Sequence, residues 1–228
     1  MKVYIDNKPL ETGHKGRGIG IYTKNLIESL NTLRDESFTV VASKDEAEII
    51  HYPYFDFFFH TLPIYKNTKT IVTVHDTIPL VFPKKFKPGI KGSIKLMLQS
   101  ISLKNVKAII TDSQNSNKDI QKYLKIKAKK IHTIPLALGK NINRSSQTNI
   151  SKTKKELNLS RKYFLYVGDI NYNKNLPTLI GAFLESGVDS DLVIVSRALE
   201  NKHIPESKEI FEAAKDSEKI KFFTKSSD

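Results

Sequence analysis

A glycine-rich loop near the start of the chain runs directly into a predicted helix. The loop is Gly16-Arg17-Gly18-Ile19-Gly20, and it follows a strand-like run at residues 3–5. Apolar residues then share one face at helical spacing, at Ile19, Tyr22, Leu26, Leu30 and Leu33. Glycines let backbone N–H groups approach a ligand and a helix start carries roughly half a positive charge, so Gly18 and Gly20 are candidates for phosphate contacts. The alternative is a flexible turn that requires only the backbone angles of glycine.

A histidine follows a predicted buried strand in Thr73-Val74-His75-Asp76. Ligands of open α/β sheets bind at the carboxyl ends of strands, so His75 is a candidate to donate to a substrate hydroxyl or to developing charge. His51, at the end of the strand predicted over residues 49–52, follows the same logic. The alternative for both side chains is a structural histidine at a strand end.

The remaining side chains do not indicate a metal site. His14, His60, His132 and His203 lack the i,i+4 or carboxylate-linked spacing of metal ligands. The chain has no cysteine, which excludes disulfides, cysteine–zinc sites and thiol catalysis and agrees with a reducing cytoplasm. We therefore expect no metal and no cofactor.

Lys174 lies just before a second predicted helix that carries Leu176, Leu179, Ile180, Phe183 and Leu184 on one face. A cation at a helix N-terminus opposes the helix dipole by roughly 0.3–1 kcal/mol unless an anion lies between them. A diphosphate would remove this conflict. The alternative is an exposed lysine in a polar loop.

The glycine loop does not indicate a dinucleotide-dependent dehydrogenase. That fingerprint is G-x-G-x-x-G directly after the first strand, with an acidic residue at the end of the second. Here the spacing is G-x-G-x-G, the loop begins well after Asp6, and the second strand ends in Ala42-Ser43-Lys44. We reject this class of enzyme.

Short β-branched runs alternate with helical patterns along the chain. We expect buried parallel strands at residues 3–5, 38–41, 49–52, 71–74, 108–111 and 131–134, and helices at residues 19–33, 90–104 and 113–124. Ser113 is the expected N-cap of the third helix. Alternating strands and helices predict a doubly wound α/β fold.

A polar stretch at residues 139–151 predicts a linker between two domains. We place the first domain at residues 1–142, the linker and a short helix from residue 152 at 143–160, and a second domain at 161–228. The second domain has predicted strands at residues 163–167, 192–195 and 220–223. A piece this small buries little apolar surface, so we expect an incomplete domain or one completed by a partner chain.

The chain of 228 residues is strongly basic, with 37 Lys+Arg against 24 Asp+Glu and a formal charge of +13. This charge favours nucleic acid, anionic lipid or a phosphorylated substrate, although lysines also serve plain solvation. Lysines concentrate at Lys84, Lys85, Lys87, Lys91 and Lys95, and again at residues 118–130. No apolar run is long enough to span a bilayer, and no signal-peptide pattern is present. A basic surface on a peripheral membrane protein fits these features.

Four motifs together resemble glycosyltransferase family 4, whose members are retaining nucleotide-sugar transferases with the GT-B fold. The first is the loop and helix from Gly16 to Leu26, and the second is Val72-Thr73-Val74-His75-Asp76. The third is Thr111-Asp112-Ser113-Gln114-Asn115-Ser116 followed by Ile131-His132-Thr133-Ile134-Pro135-Leu136, and the fourth is Tyr166-Val167-Gly168-Asp169-Ile170-Asn171-Tyr172-Asn173-Lys174-Asn175-Leu176.

The resemblance implies an α/β GT-B fold with the donor between two Rossmann-like domains, the first of them on the acceptor side. It assigns His75 to the transferred sugar near the reacting carbon, and Gly18, Gly20 and Lys174 to the donor phosphates. His51, Asp76 and Ser113 are further candidates for substrate contacts. The leaving diphosphate gains negative charge, which fixed N–H groups and a lysine stabilise without a metal.

The sequence departs from the family pattern in two places. Asp169 stands where many members have an arginine that pairs with the phosphate-binding lysine. The Glu-x7-Glu region that holds the ribose and donor sugar would lie beyond Asp228. We therefore expect a truncated second domain and little or no activity from these 228 residues.

The leading hypothesis is a cytoplasmic hexosyltransferase-like enzyme at the inner membrane face, which transfers sugar to a glycan or lipid-linked acceptor of a surface polysaccharide or glycolipid. No specific nucleic acid is expected as its partner. The alternative is a non-catalytic basic module that binds nucleic acid or anionic lipid. A nucleic-acid binder would lose affinity linearly in log salt.

Overall fold

The computed structural model describes residues 1–33, 35–139, 142–159, 162–201 and 203–224. The chain divides into two compact units, Met1–Ile142 and Asn143–Asp228. Lys140 and Asn141 of the predicted linker, and Ser160 and Arg161 at the predicted domain boundary, lie outside the described residues, as do residues 225–228 at the end of the predicted second domain.

The first unit contains a six-stranded sheet in which all neighbouring strands are parallel. Its strands are β1 (Lys2–Ile5), β2 (Thr39–Val40), β3 (Ile49–Tyr52), β4 (Lys69–Thr73), β5 (Ala108–Thr111) and β6 (Ile131–Thr133), in the order β2-β1-β3-β4-β5-β6. The order reverses at β1, because β2 lies on one side of it and β3 on the other. Ligands of such sheets bind beyond the carboxyl ends of the strands at the reversal. The fold therefore favours a site at the ends of β1 and β3.

In the described part of this unit, the α-helices that connect the strands are α1 (Gly18–Thr32), α2 (Ile78–Val81), α3 (Gly89–Lys104) and α4 (Gln114–Leu124). The β-branched runs form the buried centre of the sheet, where Val72 of β4 and Ile109 of β5 are both 0% exposed. Ser113 caps α4 by accepting a hydrogen bond from the N–H of Ser116, as predicted. The predicted α/β class is confirmed.

The second unit contains α5 (Gln147–Glu156), β7 (Tyr163–Val167), α6 (Leu176–Glu185), β8 (Asp191–Val195), α7 (Pro205–Ala214) and β9 (Ile220–Phe223). Its three strands form a parallel sheet in the order β7-β8-β9. The core joins β8 to the two helices that follow β7 and β8, with Ile180, Ile194 and Ile210 almost fully buried. By contrast, Phe164 and Val167 of β7 are exposed.

The linker prediction over residues 139–151 was partly wrong. α5 begins at Gln147, because Ser146 Oγ accepts a hydrogen bond of 3.2 Å from the N–H of Asn149 and caps the helix. No residue of α5 is buried. A helix without a buried face has no apolar period, so the pattern missed its first turn.

Helical periodicity identified apolar faces on α1 and α3 but not what these faces contact. The buried residues of α1 are Gly20 and Thr23 rather than the predicted apolar stripe, and Leu33 just beyond the helix is 59% exposed. α3 turns its apolar stripe outward and buries Gln99 and Ser102 among others.

Candidate active site

His75 lies just beyond β4, and both of its ring nitrogens have partners. Nδ1 is 2.7 Å from Asp112 Oδ2, and Nε2 is 3.1 Å from the carbonyl oxygen of Pro53. The ring also meets the edge of Tyr22, with centroids 4.8 Å apart. Both partners only accept hydrogen bonds, so the two bonds coexist only when each ring nitrogen carries a hydrogen. The arrangement holds His75 as a donor whose Nε2 could exchange the Pro53 carbonyl for a substrate oxygen.

Asp112 is a site residue that the sequence reasoning did not select. It directly follows β5, which pairs with β4, so both side chains project from the same edge of the sheet. Its side chain is 20% exposed, and its Oδ1 is buried without a hydrogen-bond partner among the described residues. The available signal was its position directly after a buried strand, within Thr111-Asp112-Ser113.

The backbone around His75 is fixed by the predicted contact residues. Ser113 caps α4, and the hydroxyl of Ser116 in the first turn of α4 donates to the His75 carbonyl at 2.9 Å. Asp76 is exposed, and its Oδ1 accepts a hydrogen bond of 3.0 Å from the N–H of Ile78 at the start of α2. Ser113 and Asp76 therefore have structural roles beside His75, whatever contact they make with a substrate.

His51 is buried beneath this edge of the sheet, with 6% of its surface exposed. A hydrogen bond of 2.9 Å joins its Nε2 to Thr73 Oγ1, and the hydroxyl of Tyr22 lies 3.1 Å from the same Oγ1. Burial, and to a smaller extent the nearby charge of His75, lowers the pKa of His51 from 6.5 to about 4. His51 is thus neutral at neutral pH and forms part of an internal network.

Two cavities open at this edge. One, of about 170 Å³, is lined by His75 and Asp76 together with Ile19 from the first turn of α1. The other, of about 370 Å³, lies at the ends of β1 and β3, where Asp6 and Tyr52 line it. This is the place that the strand order predicts for a ligand.

Tyr54 lines both cavities, and its hydroxyl donates to Asp56 Oδ2. Burial, together with the bonded carboxylate, raises the pKa of Tyr54 far above its ordinary value. Tyr54 therefore stays a neutral phenol, a group that can bind sugar hydroxyls.

The glycine loop brings the start of α1 to the His75 cavity. A Cβ at Gly20 would lie 2.3 Å from the carbonyl oxygen of His14 and 2.8 Å from that of Lys15, so the close approach of the loop requires glycine. Gly18 is exposed, and a Cβ there would meet nothing within 4 Å. Among the residues that the structure describes, no side chain caps α1, which leaves the N–H groups of its first turn available to a ligand.

Gly18 also lines a third groove, of about 580 Å³, between α1 and the segment after β6. Leu26 and Leu30 of the predicted apolar face line this groove, together with Leu136 and Leu138. The apolar face of α1 is thus the wall of a groove rather than part of the core.

In the second unit, Lys174 ends a short turn (Tyr172–Lys174) just before α6. Lys174 is exposed, and no acidic side chain in the described part of the chain lies within ion-pairing distance of it. No side chain caps α6, whose N-cap residue Asn175 has a positive φ of 51°. Asp169 is exposed, and its carbonyl accepts a hydrogen bond from the Tyr166 hydroxyl.

Two features are absent from the residues that the structure describes. Within these ranges, no group of three or more histidine or acidic side chains could hold a metal ion. None of the helices placed there is long and apolar enough to cross a membrane. The expectation of metal-free chemistry stays a prediction.

A family model described as Glycosyltransferase Family 4 matches residues 19–138, which is more than half of the chain. The chain belongs to Glycosyltransferase Family 4. The matched region includes the whole His75–Asp112 pair and all but the first residue of α1. This confirms the resemblance given by the sequence motifs and favours a glycosyltransferase over a non-catalytic basic module. The search of curated proteins found no match.

Solved glycosyltransferases with the GT-B fold share the architecture of this family member. HepE from Anabaena, solved in complex with UDP-glucose, has a TM-score of 0.61 at 13% identity, over 97% of this chain and 68% of HepE. Sucrose-phosphate synthase from Thermosynechococcus elongatus has a TM-score of 0.56 at 14% identity, over 95% of this chain and 53% of the synthase. A glycosyltransferase from Rickettsia africae has a TM-score of 0.53 at 15% identity, over 97% of this chain and 67% of that one. These likenesses show the GT-B fold.

Proposed function

We propose that this member of Glycosyltransferase Family 4 transfers a sugar, with retention, from a nucleotide-sugar donor to a glycan or lipid-linked acceptor. The observation that carries the proposal is the His75–Asp112 pair, which lies inside the family match and whose histidine lines a cavity with Ile19 of the first turn of α1. A nucleotide-sugar donor is supported by HepE, which has the same fold and was solved with UDP and with UDP-glucose.

The proposed chemistry assigns a role to each of the predicted catalytic and phosphate-binding residues. The bond between the anomeric carbon and the diphosphate breaks, a bond to the acceptor oxygen forms on the same face, and the acceptor proton passes to the leaving diphosphate. Negative charge grows on that diphosphate, and fixed N–H groups or cations stabilise such charge most when they need not reorganise. We assign this role to the uncapped first turn of α1, at Gly18 and Gly20, and to Lys174.

We propose that His75 contacts the transferred sugar. Its Nε2–H would leave the Pro53 carbonyl and donate to a sugar hydroxyl near the reacting carbon, while Asp112 keeps Nδ1–H in place. No step of this scheme requires a metal. Asp169 adds negative charge to the loop before Lys174, so we propose that this loop binds the donor phosphates only weakly.

We further propose that the enzyme works in the cytoplasm at the inner face of a membrane, on the way to a surface polysaccharide or glycolipid. The support is the formal charge of +13 and the absence of cysteine.

The test is a screen of radiolabelled nucleotide sugars, beginning with UDP-glucose, that follows both donor binding and release of the labelled sugar. We expect saturable binding and slow release with one donor. Binding of DNA or RNA, measured against salt, provides the comparison. The proposal is wrong if no nucleotide sugar binds or turns over while nucleic acid binds with a linear dependence on log salt.

A further inference from the structure

α3 contacts the rest of the first unit through a side that includes polar residues. Gln99 is 1% exposed, and its Oε1 accepts hydrogen bonds of 3.0 Å from the N–H groups of Thr61 and Leu62. Its Nε2 donates to the Leu62 carbonyl, also at 3.0 Å. Gly92, Ser102 and Leu103 complete the buried side, and the last two are 0% exposed. The helix is therefore fixed to its unit without the use of its apolar stripe.

That stripe faces outward. Its four large apolar side chains are all exposed: Ile90 by 85%, Ile94 by 53%, Met97 by 57% and Ile101 by 45%. Their spacing of four, three and four residues places them on one line along the helix, about 16 Å long at a rise of about 1.5 Å per residue. Single exposed apolar residues are common, but a continuous apolar patch marks an interaction surface.

The stretch of sequence that contains the stripe carries charge of one sign. No acidic residue occurs from Thr77 to Thr111, and the same stretch holds the lysines Lys84, Lys85, Lys87, Lys91, Lys95, Lys104 and Lys107. All of these lysines are exposed. Long lysine side chains can lay their methylene stems along an apolar surface while the ammonium group reaches a charged headgroup. The region thus combines an exposed apolar stripe with exposed lysines, of which Lys91 and Lys95 lie on the same helix.

The patch extends towards the candidate active site. Phe59 is 65% exposed, and Lys95 Nζ lies 5.2 Å from the centroid of its ring. Phe59 also lines the cavity of about 370 Å³ at the ends of β1 and β3, together with Tyr54. A partner bound to α3 would therefore lie beside the mouth of that cavity.

We propose that an anionic phospholipid bilayer binds to the α3 surface, which consists of Phe59, Ile90, Lys91, Ile94, Lys95, Met97 and Ile101. Amphipathic basic helices lie in the plane of the interface, with the apolar face in the boundary between headgroups and acyl chains. The inference locates the membrane contact included in the proposed function and favours a lipid-linked acceptor, which could enter the neighbouring cavity from the bilayer. The acceptor assignment rests on the proposed function, whereas binding to the bilayer does not.

The charge pattern favours lipid over the other occupants of such a surface. In a symmetric contact with a second copy of the chain, the same lysines of both copies would face one another. They would repel, because residues 77–111 contain no acidic side chain to neutralise them. A nucleic acid would neutralise the lysines but leave the apolar stripe in water. An anionic bilayer satisfies both parts of the surface.

The experiment is co-sedimentation of the full chain with vesicles of phosphatidylcholine, with or without phosphatidylglycerol. One variant removes charge (Lys91→Gln with Lys95→Gln), and another removes apolar surface (Ile94→Gln with Met97→Gln). The matched control removes two exposed lysines elsewhere in the first unit, outside both lysine clusters (Lys2→Gln with Lys69→Gln). Circular dichroism verifies that each variant retains its helices.

We expect the wild type and the control to bind vesicles that contain phosphatidylglycerol and to ignore those without it. Each lysine at an anionic surface contributes about a fivefold increase in binding, so the charge variant should bind roughly thirtyfold more weakly. The apolar variant should also lose most of its binding. Equal binding to neutral vesicles, or equal loss in the control variant, would overturn the proposal. The proposal would also be overturned if the protein did not bind vesicles but formed a dimer that Met97→Gln disrupts. A protein that turns over donor but ignores vesicles would overturn this inference alone.

Discussion

His51 makes the stability of the first unit depend on pH. This effect can be measured without a substrate. Its side chain is 6% exposed, and its Nε2 bonds to Thr73 Oγ1 at 2.9 Å. Burial and the charge of His75 lower its pKa from 6.5 to about 4. Between these two values the folded protein keeps His51 neutral while the unfolded chain protonates it.

The sign and size of the effect follow from the linkage between protons and folding. In this pH range the unfolded state binds more protons, so the free energy of unfolding rises with pH. The contribution is fully present above about pH 6.5 and is lost as the pH falls towards about 4. At about 1.4 kcal/mol per pKa unit, the shift corresponds to about 3 kcal/mol.

The assay is urea unfolding at a series of pH values between about 7.5 and 4.5, where the slope reports the proton difference. His51→Gln retains an amide near the position of Nε2 that can bond to Thr73, but it does not titrate. The control is His132→Gln, because His132 is an exposed histidine on the nearby strand β6. Over this pH range we expect the wild type and the control to lose roughly 2–3 kcal/mol more than His51→Gln. Parallel curves for the wild type and His51→Gln would refute the reasoning.

Four further substitutions test the site. Asp112→Asn removes the charge on the hydrogen bond to His75 and should lower kcat/KM by roughly ten- to a hundredfold, measured by donor turnover. Gly20→Ala should destabilise the protein by roughly 1–3 kcal/mol in urea unfolding, because its Cβ would clash with the loop backbone, whereas Gly18→Ala should be neutral or slightly stabilising. Lys174→Ala should weaken donor binding roughly tenfold in calorimetry, because it removes a cation from the diphosphate.

Each of these substitutions has a matched control. Asp119→Asn removes an acid on α4, near Asp112 in sequence, and should leave turnover unchanged. Lys208→Ala removes an exposed lysine on α7 of the second unit and should leave donor affinity unchanged. The site assignment would be contradicted by equal effects in target and control. The account of the glycine loop would be contradicted if Gly18→Ala and Gly20→Ala had the same stability.

The order of strands and helices was predictable because buried parallel strands leave a strong signal in the sequence. Each β-branched run, such as Ala108–Thr111 and Tyr163–Val167, forms a strand as predicted. The family was also predictable from the sequence, because four motifs in the right order are far more specific than the glycine loop alone. The match over residues 19–138 confirms that resemblance.

The contacts of each helix were not predictable to the same degree. The periodicity of Ile90, Ile94, Met97 and Ile101 identifies a stripe but not the side that faces the protein. In the structure the polar amide of Gln99 attaches the helix, since it satisfies three backbone groups at once. A buried polar attachment of this kind leaves no hydrophobic period in the sequence.

The location of the candidate site was predictable, but the predicted set of site residues was incomplete. The end of a central strand identified His75, and the same rule applied to the neighbouring strand would have identified Asp112. The burial of His51 depends on packing around Thr73 and Tyr22, which lie far from it in sequence. Such long-range packing is not visible in a local pattern.

The most direct test of the central claim is donor turnover by His75→Ala beside His132→Ala, with the nucleotide sugar that binds the wild type. The account predicts a loss of roughly a hundredfold or more for His75→Ala, because it removes the donor placed at the sugar, and no loss for His132→Ala. It also predicts that both variants unfold cooperatively in urea. Turnover by a folded His75→Ala at the wild-type rate would contradict the account.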